Sequence, residues 1–284
     1  MKNIFMRFPQ GKPKALTFSY DDGNICDKRL IGIFDKHGLK GTFNVNIGLY
    51  ISEENAVKNS DNPTRRMTER EMLETYGGTE HEIAVHGVKH LFMEQLPSPS
   101  ALYEAIEDRA ALERTFGTVV RGMAYPYGTL SDSLVKGLKE TGIVYSRTTI
   151  STGTFDIPSD WLRLNPTCHH KDERLNELAD KFTSSSPTDE MFNRKPWLFY
   201  VWGHSFEFVR NDNWEIIENF ADKVSGKDDV WYATNIEIYD YIDAYNRLLF
   251  NIDTTLVTNP SALDIWFEKG GELICVKSGE TKSI

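Results

Sequence analysis

Cysteine is scarce: three in 284 residues, Cys26, Cys168 and Cys275. They are far apart, odd in number and never in a CxxC pair. Neither a disulfide framework nor a zinc ribbon is expected, and three reduced, mostly buried thiols are the reading. Positive charge is also short. Thirty-two Lys and Arg face 42 Asp and Glu, a net charge of −10, and no Lys/Arg-rich tract is present. That argues against nucleic acid as a partner and mildly favours a neutral or cationic substrate. No run is long and apolar enough to span a membrane. The opening Met-Lys-Asn-Ile-Phe-Met-Arg has no apolar core of a signal peptide. A cytoplasmic location is the expectation, with a lost leader as the exception. Internal repeats and low-complexity linkers are missing too.

What is present suffices for one sizeable core, with 40% hydrophobic and 12% aromatic residues. Short apolar runs alternate with helix-period segments. Strands are expected at 14–20, 41–46, 82–86, 122–125, 143–147, 198–202 and 230–233. Helices are expected at 27–37, 68–76, 97–117, 131–142, around 175–182, at 214–224, and from 234 to near 250. In the helix at 97–117, Ser100 reads as the cap and Leu102, Ala105, Ile106, Leu112 and Phe116 as the inward face. About seven βα units in series predict an α/β fold with a parallel sheet or barrel. Residues 251–284 read differently. Asn259-Pro260, Gly270-Gly271 and Ser278-Gly279 are turn signals around two strand-like runs, 263–267 and 272–276. The expected organisation is a barrel over 1–250 and a short C-terminal β appendage, 251–284, packed on it.

Four polar clusters fall at the expected C-terminal ends of strands, the rim where barrels build their sites. Asp21-Asp22-Gly23 ends the first strand. Adjacent carboxylates repel, so a cation or separate roles is one reading and a common Asp-Gly turn the other. His86-Gly87-Val88-Lys89-His90 follows the third strand. If a helix begins there, the two histidines share a face and can grip one metal. With Asp22 they make a catalytic-type set, two histidines and one carboxylate. Tyr125-Pro126-Tyr127-Gly128 shapes a turn that presents the Tyr127 backbone. An apolar strand, 198–202, leads to His204, a group able to act as an acid. His37 reads as a helix end and His81 as structural, while His169-His170 keep a peripheral substrate role open. Tyr125, Tyr127, Trp161 and Trp202 suit stacking on sugar faces or ordinary core packing. Glu207 suits a sugar hydroxyl, a product ammonium, or plain surface.

The ordered set SYDDG, HGVKH, YPYG and a late apolar strand ending in His204 resembles the polysaccharide deacetylases with the NodB homology domain, carbohydrate esterase family 4. The resemblance spans roughly residues 14–206. It implies a distorted (β/α)7 barrel and one divalent metal, zinc first and cobalt or another transition metal next. It implies Asp21 as catalytic base, Asp22, His86 and His90 as metal ligands, His204 as catalytic acid, and Asp160-Trp161 as a wall of the pocket. The implied activity is removal of N-acetyl groups from an oligosaccharide or polysaccharide.

The sequence departs from that pattern. Ser19-Tyr20 replace Thr-Phe, and Gly87 follows the first histidine where Ser or Thr is usual. The Arg-x-Pro-Tyr pattern would place an arginine at position 124, where Ala124 stands. Arg121 or Arg163 is then the candidate partner of Asp21, with Asp160 nearby. The missing arginine keeps other substrates open: an O-acetyl ester, a formamide, or a cyclic amide as in allantoinase-like relatives. A catalytically silent carbohydrate-binding barrel is the remaining alternative.

Overall fold

The computed structural model describes residues 3–189 and 193–284. Its elements in chain order are β1 (Ile4–Arg7), β2 (Lys14–Asp21), α1 (Asp27–Lys36), β3 (Gly41–Val45), α2 (Glu53–Lys58), α3 (Glu69–Tyr76), β4 (Glu82–Val85), α4 (Ser98–Phe116), β5 (Gly122–Ala124), α5 (Asp132–Leu138), β6 (Tyr145–Arg147), β7 (Cys168–His169), α6 (Leu175–Ser184), β8 (Trp197–Gly203), α7 (Phe206–Arg210), α8 (Glu215–Val224), β9 (Val230–Tyr232) and α9 (Asn235–Asn246). The last segment adds β10 (Leu249–Phe250), β11 (Leu256–Thr258), β12 (Ile265–Lys269), β13 (Glu272–Val276) and β14 (Thr281–Ser283).

Parallel strands in the order β6-β5-β4-β3-β2-β8-β7, with β9 beside the start of β2, curl into a distorted (β/α)7 barrel. The two-residue period of β2 explains its place at the centre. Leu16, Phe18 and Tyr20 face the helices, where Phe18 meets Phe34 of α1 at 4.4 Å and Phe220 of α8 at 5.9 Å. Burying each such side chain contributes about 1.5–3 kcal/mol. Thr17, Ser19 and Asp21 alternate with them into the barrel, and all three are buried. A polar interior needs partners. Asn235, at the start of α9, accepts from Thr17 Oγ1 at 2.8 Å and donates to Tyr200 Oη at 2.6 Å. A capping box of Thr234 and Glu237 opens that helix. The helix thereby closes the barrel at the N-terminal ends of its strands.

The C-terminal strands form two small antiparallel sheets, β10-β11-β14 and β1-β12-β13. The first strand of the chain therefore belongs to the second of these. Two local expectations change. Ser98, not Ser100, begins α4, and Ile106 is 48% exposed. Ala105 and Leu112 are buried as expected, but the rest of the buried face is Ala101, Glu104 and Asp108, so two carboxylates sit where hydrophobic periodicity expects apolar residues. Residues 86–92 are not helical. Gly87 (φ 75°) and His90 (φ 54°) both lie in the left-handed region and turn the chain irregularly.

Candidate active site

The C-terminal ends of β2, β3, β4, β6 and β8 meet at one rim. Asp22 follows the last residue of β2 with φ 88°, and Gly23 continues the turn at φ 61°. A non-glycine residue there costs on the order of 1–3 kcal/mol, a cost that structures tolerate mainly at functional sites. Asp22, His90 and Tyr127 are three of the six non-glycine residues with positive φ among the described residues, so the strain is concentrated at this rim.

The bent turn aims Asp22 Oδ1 at two imidazoles. It lies 3.9 Å from His86 Nε2 and 3.7 Å from His90 Nε2. His86 Nδ1 donates to Ala124 O at 2.8 Å, which fixes the tautomer and leaves the Nε2 lone pair pointing inward. Both His86 Nε2 and Asp22 Oδ1 are buried without a hydrogen-bond partner. Burial pulls the His86 imidazole down to about 4 despite the nearby aspartates, and burial lowers His90 as well. Two neutral imidazoles and a carboxylate with convergent, unsatisfied lone pairs fit a divalent transition metal with positions left open. Arg66, on the segment between α2 and α3, stands 3.0 Å from the same Asp22 oxygen.

Asp21, the last residue of β2, is 3% exposed and points into the barrel. Its partner is Arg147, the last residue of β6. The Arg147 Nη2 contacts both carboxylate oxygens, its Nε donates to Ser19 Oγ at 3.3 Å, and Trp202 lies under its guanidinium at 4.5 Å. Asn44 Nδ2 adds a bond to Asp21 Oδ1 at 2.9 Å. Burial pushes the Asp21 carboxyl up, but Arg147, His86 and His204 outweigh it and hold the carboxyl at about 2.

This corrects the expected partner. Arg121 pairs with Asp240 on α9, and Arg163 pairs with Asp160 and Asp132. Both lie on surface-facing segments, whereas Arg147 is fully buried. Ala124 and Arg147 are register partners on β5 and β6. The guanidinium is supplied at the same height as position 124, from the neighbouring strand.

His204 follows β8. Its Nε2 is 3.9 Å from Asp21 Oδ2 and its Nδ1 is 3.7 Å from Glu207 Oε1. Burial lowers this imidazole, but Glu207, Asp21 and Asp22 together raise it above its ordinary value. Glu207 is not open to a sugar. Its oxygens face His169 at 3.3 Å, His170 at 3.0 Å and Lys171 at 3.0 Å as well as His204. Burial raises the Glu207 carboxyl, yet these groups drive it far below the usual range. His169, His170 and Glu207 also have the composition of a cation site. His169 Nδ1, however, accepts from Lys171 N at 3.0 Å, which puts the neutral ring's proton on Nε2, the nitrogen facing Glu207.

The aromatic expectations divide. Tyr127 is 50% exposed beside His90, with ring centroids 4.5 Å apart, and stacks on Phe92 at 3.8 Å. Phe92 is itself 41% exposed. Tyr125 is fully buried and donates to Leu162 O at 2.8 Å, so it does not reach a substrate. Trp202 is at the site but carries Arg147 on its face. Asp160-Trp161 is not a wall of the site. Leu164 is level with Arg147, which sets Trp161 toward the N-terminal ends of the strands. Trp161 packs on Tyr239 of α9 and lines a separate 710 Å³ cleft with Phe5 and Tyr245.

Residues 9–146 match the family described as polysaccharide deacetylase. The match takes in Asp21, Asp22, His86 and His90 and ends one residue before Arg147. A Mycobacterium smegmatis protein assigned as a polysaccharide deacetylase shares 18% identity, with a TM-score of 0.53 over 87% of this chain and 96% of that one. A family 4 carbohydrate esterase from Streptomyces lividans, solved with acetate, shares 15% identity, with a TM-score of 0.48 over 77% and 91%. A family 4 pseudoenzyme from Bacillus anthracis shares 16%, with a TM-score of 0.45 over 82% and 67%. Among curated proteins, none matches this sequence.

Proposed function

We propose, from the match of residues 9–146 to the polysaccharide deacetylase family, that this chain is a metal-dependent hydrolase removing N-acetyl groups from a carbohydrate. One observation carries the reading. The unpartnered Nε2 of His86 and the Asp22 carboxylate converge with His90 beside a carboxylate clamped by arginine and an imidazole held between carboxylates.

Asp22, His86 and His90 would hold the cation, zinc by preference for this donor set. When bound, such a cation supplies Lewis acidity toward an acetyl carbonyl and lowers the pKa of water. Asp21, held ionised by Arg147, takes the proton of the attacking water. His204, whose protonated form Glu207 and Asp21 favour, gives a proton to the leaving amine. The Tyr127 backbone N–H is the candidate donor to the developing oxyanion. The Phe92–Tyr127 stack offers an apolar face for a sugar ring next to the cation site.

The absent arginine at position 124 was the reason to keep other amides and esters open. Arg147 supplies that charge, so N-acetyl carbohydrate is the favoured substrate. The intact set of Asp21, Asp22, His86, His90 and His204 favours an enzyme over a silent binding barrel.

Each proton-transfer residue typically contributes about 10²–10⁴-fold. Asp21→Ala and His204→Ala should each lose acetate release by that order and still bind zinc. Normal turnover in Asp21→Ala would overturn the assignment.

A further inference from the structure

The stretch that carries both histidine ligands has no regular secondary structure, yet its backbone groups are bound one after another. His86 N donates to Asp108 Oδ2 at 2.9 Å. Val88 N donates to Glu104 O at 3.3 Å and Lys89 N to Glu104 Oε2 at 2.8 Å. Three N–H groups of this stretch, those of His86, Val88 and Lys89, therefore go to one helix, α4. The carbonyls are held from the other side. Asn46 Nδ2 donates to His86 O at 2.6 Å and Gly87 O at 2.7 Å, and Gly48 N donates to Val88 O at 3.0 Å. Asp108 Oδ1 also accepts from Ile47 N at 2.9 Å, tying the ends of β3 and β4 to the same carboxylate.

Glu104 and Asp108 are four residues apart and so share a face of α4. They are 5% and 0% exposed. Among the described residues, neither has a Lys, Arg or His salt-bridge partner. Buried carboxylates without a cation are costly, even when backbone N–H groups satisfy their oxygens. An apolar face would pack α4 equally well and avoid that cost. What an apolar face cannot do is hold residues 86–90 in a turn with two left-handed residues, the geometry that brings His86 and His90 to within 4.8 Å ring to ring.

We propose that Glu104 and Asp108 are positioning residues for the cation site, fixing the 86–90 backbone so that both imidazoles meet Asp22 at one ion. This rests on the reading of Asp22, His86 and His90 as ligands. Partners of this kind, one step removed from a metal, typically alter affinity by about 10–100-fold when removed.

The test is zinc affinity by chelator competition on the purified chain, together with the visible spectrum of its cobalt form. The variants are Asp108→Asn, Glu104→Met and, as a reference, His86→Ala. Asp108→Asn puts an amide where an N–H must be accepted, and Glu104→Met keeps length but removes the acceptor. Both should fold, bind zinc about 10–100-fold more weakly, and shift the cobalt spectrum. Wild-type affinity and spectrum in both folded variants would overturn the proposal. If Asp108→Asn does not fold, Glu104→Met decides it alone. Wild-type zinc affinity in His86→Ala would instead overturn the ligand reading on which it rests.

Discussion

Arg147→Met removes the charge that faces Asp21 and leaves that carboxylate buried. Losing one member of a buried ion pair costs about 3–5 kcal/mol, because the remaining charge is uncompensated. Asp21 keeps its bond from Asn44, so a loss near the lower figure, about 3 kcal/mol, is expected at pH 7. The pH dependence has a definite sign. In the native chain Asp21 sits at about 2, below its unfolded value of about 3.9. Its ionisation therefore stabilises the fold above about pH 4, and that stability is lost as pH falls through 2. In the variant, burial is no longer outweighed and the carboxyl rises above its unfolded value. Asp21 is then best tolerated protonated, and its contribution is lost as pH rises. The stability gap between native chain and variant should be largest at pH 7 and shrink at pH 4. Urea unfolding of both proteins, metal-free, at the two pH values measures it. The acid limb of the pH–rate profile should move upward in parallel. Because positions 124 and 147 are register partners, Ala124→Arg combined with Arg147→Met should recover part of both losses. A gap below about 1 kcal/mol at pH 7, the range of an exposed ion pair, or one equal at both pH values, would refute the reasoning.

Glu207→Gln removes the main group raising His204, so the alkaline limb of kcat/KM should move to lower pH; an unmoved limb would exclude Glu207 from tuning the acid. Phe92→Ala should raise KM for N-acetylated chito-oligosaccharides with kcat little changed, since one stacked face is worth about 1 kcal/mol; an equal fall in kcat at constant KM would place Phe92 elsewhere in the reaction. Trp161→Ala, acting in a separate cleft, should leave KM for short oligosaccharides unaltered, and a rise in KM would return Trp161 to the substrate site.

Much of the barrel was legible because strands such as 14–20 and 198–202 are buried runs with clear ends. The rim was legible for the same reason: Asp21, His86 and His204 each stand where such a run stops. Arg147 carries that signal too, a charge closing the strand at 143–147. Its pairing with Asp21 was not legible, because nothing in a single chain says which strands are neighbours. The 86–90 turn could not be read, since histidine spacing alone does not separate a helix from a turn with left-handed residues. Glu104 and Asp108 fall outside the apolar set that periodicity assigns to the inward face of α4. Their burial is set by backbone groups on another segment, which periodicity does not register. Glu207 was visible three residues after His204, but its clamp comes from β7 and Lys171, far away in sequence.

Acetate release from N-acetylated chito-oligosaccharides tests metal-dependent deacetylation most directly, followed for the protein as purified, after chelation and after zinc is restored. Release should vanish with the chelator and return with zinc, and His86→Ala should prevent the return. Undiminished release from protein shown to be metal-free would contradict it.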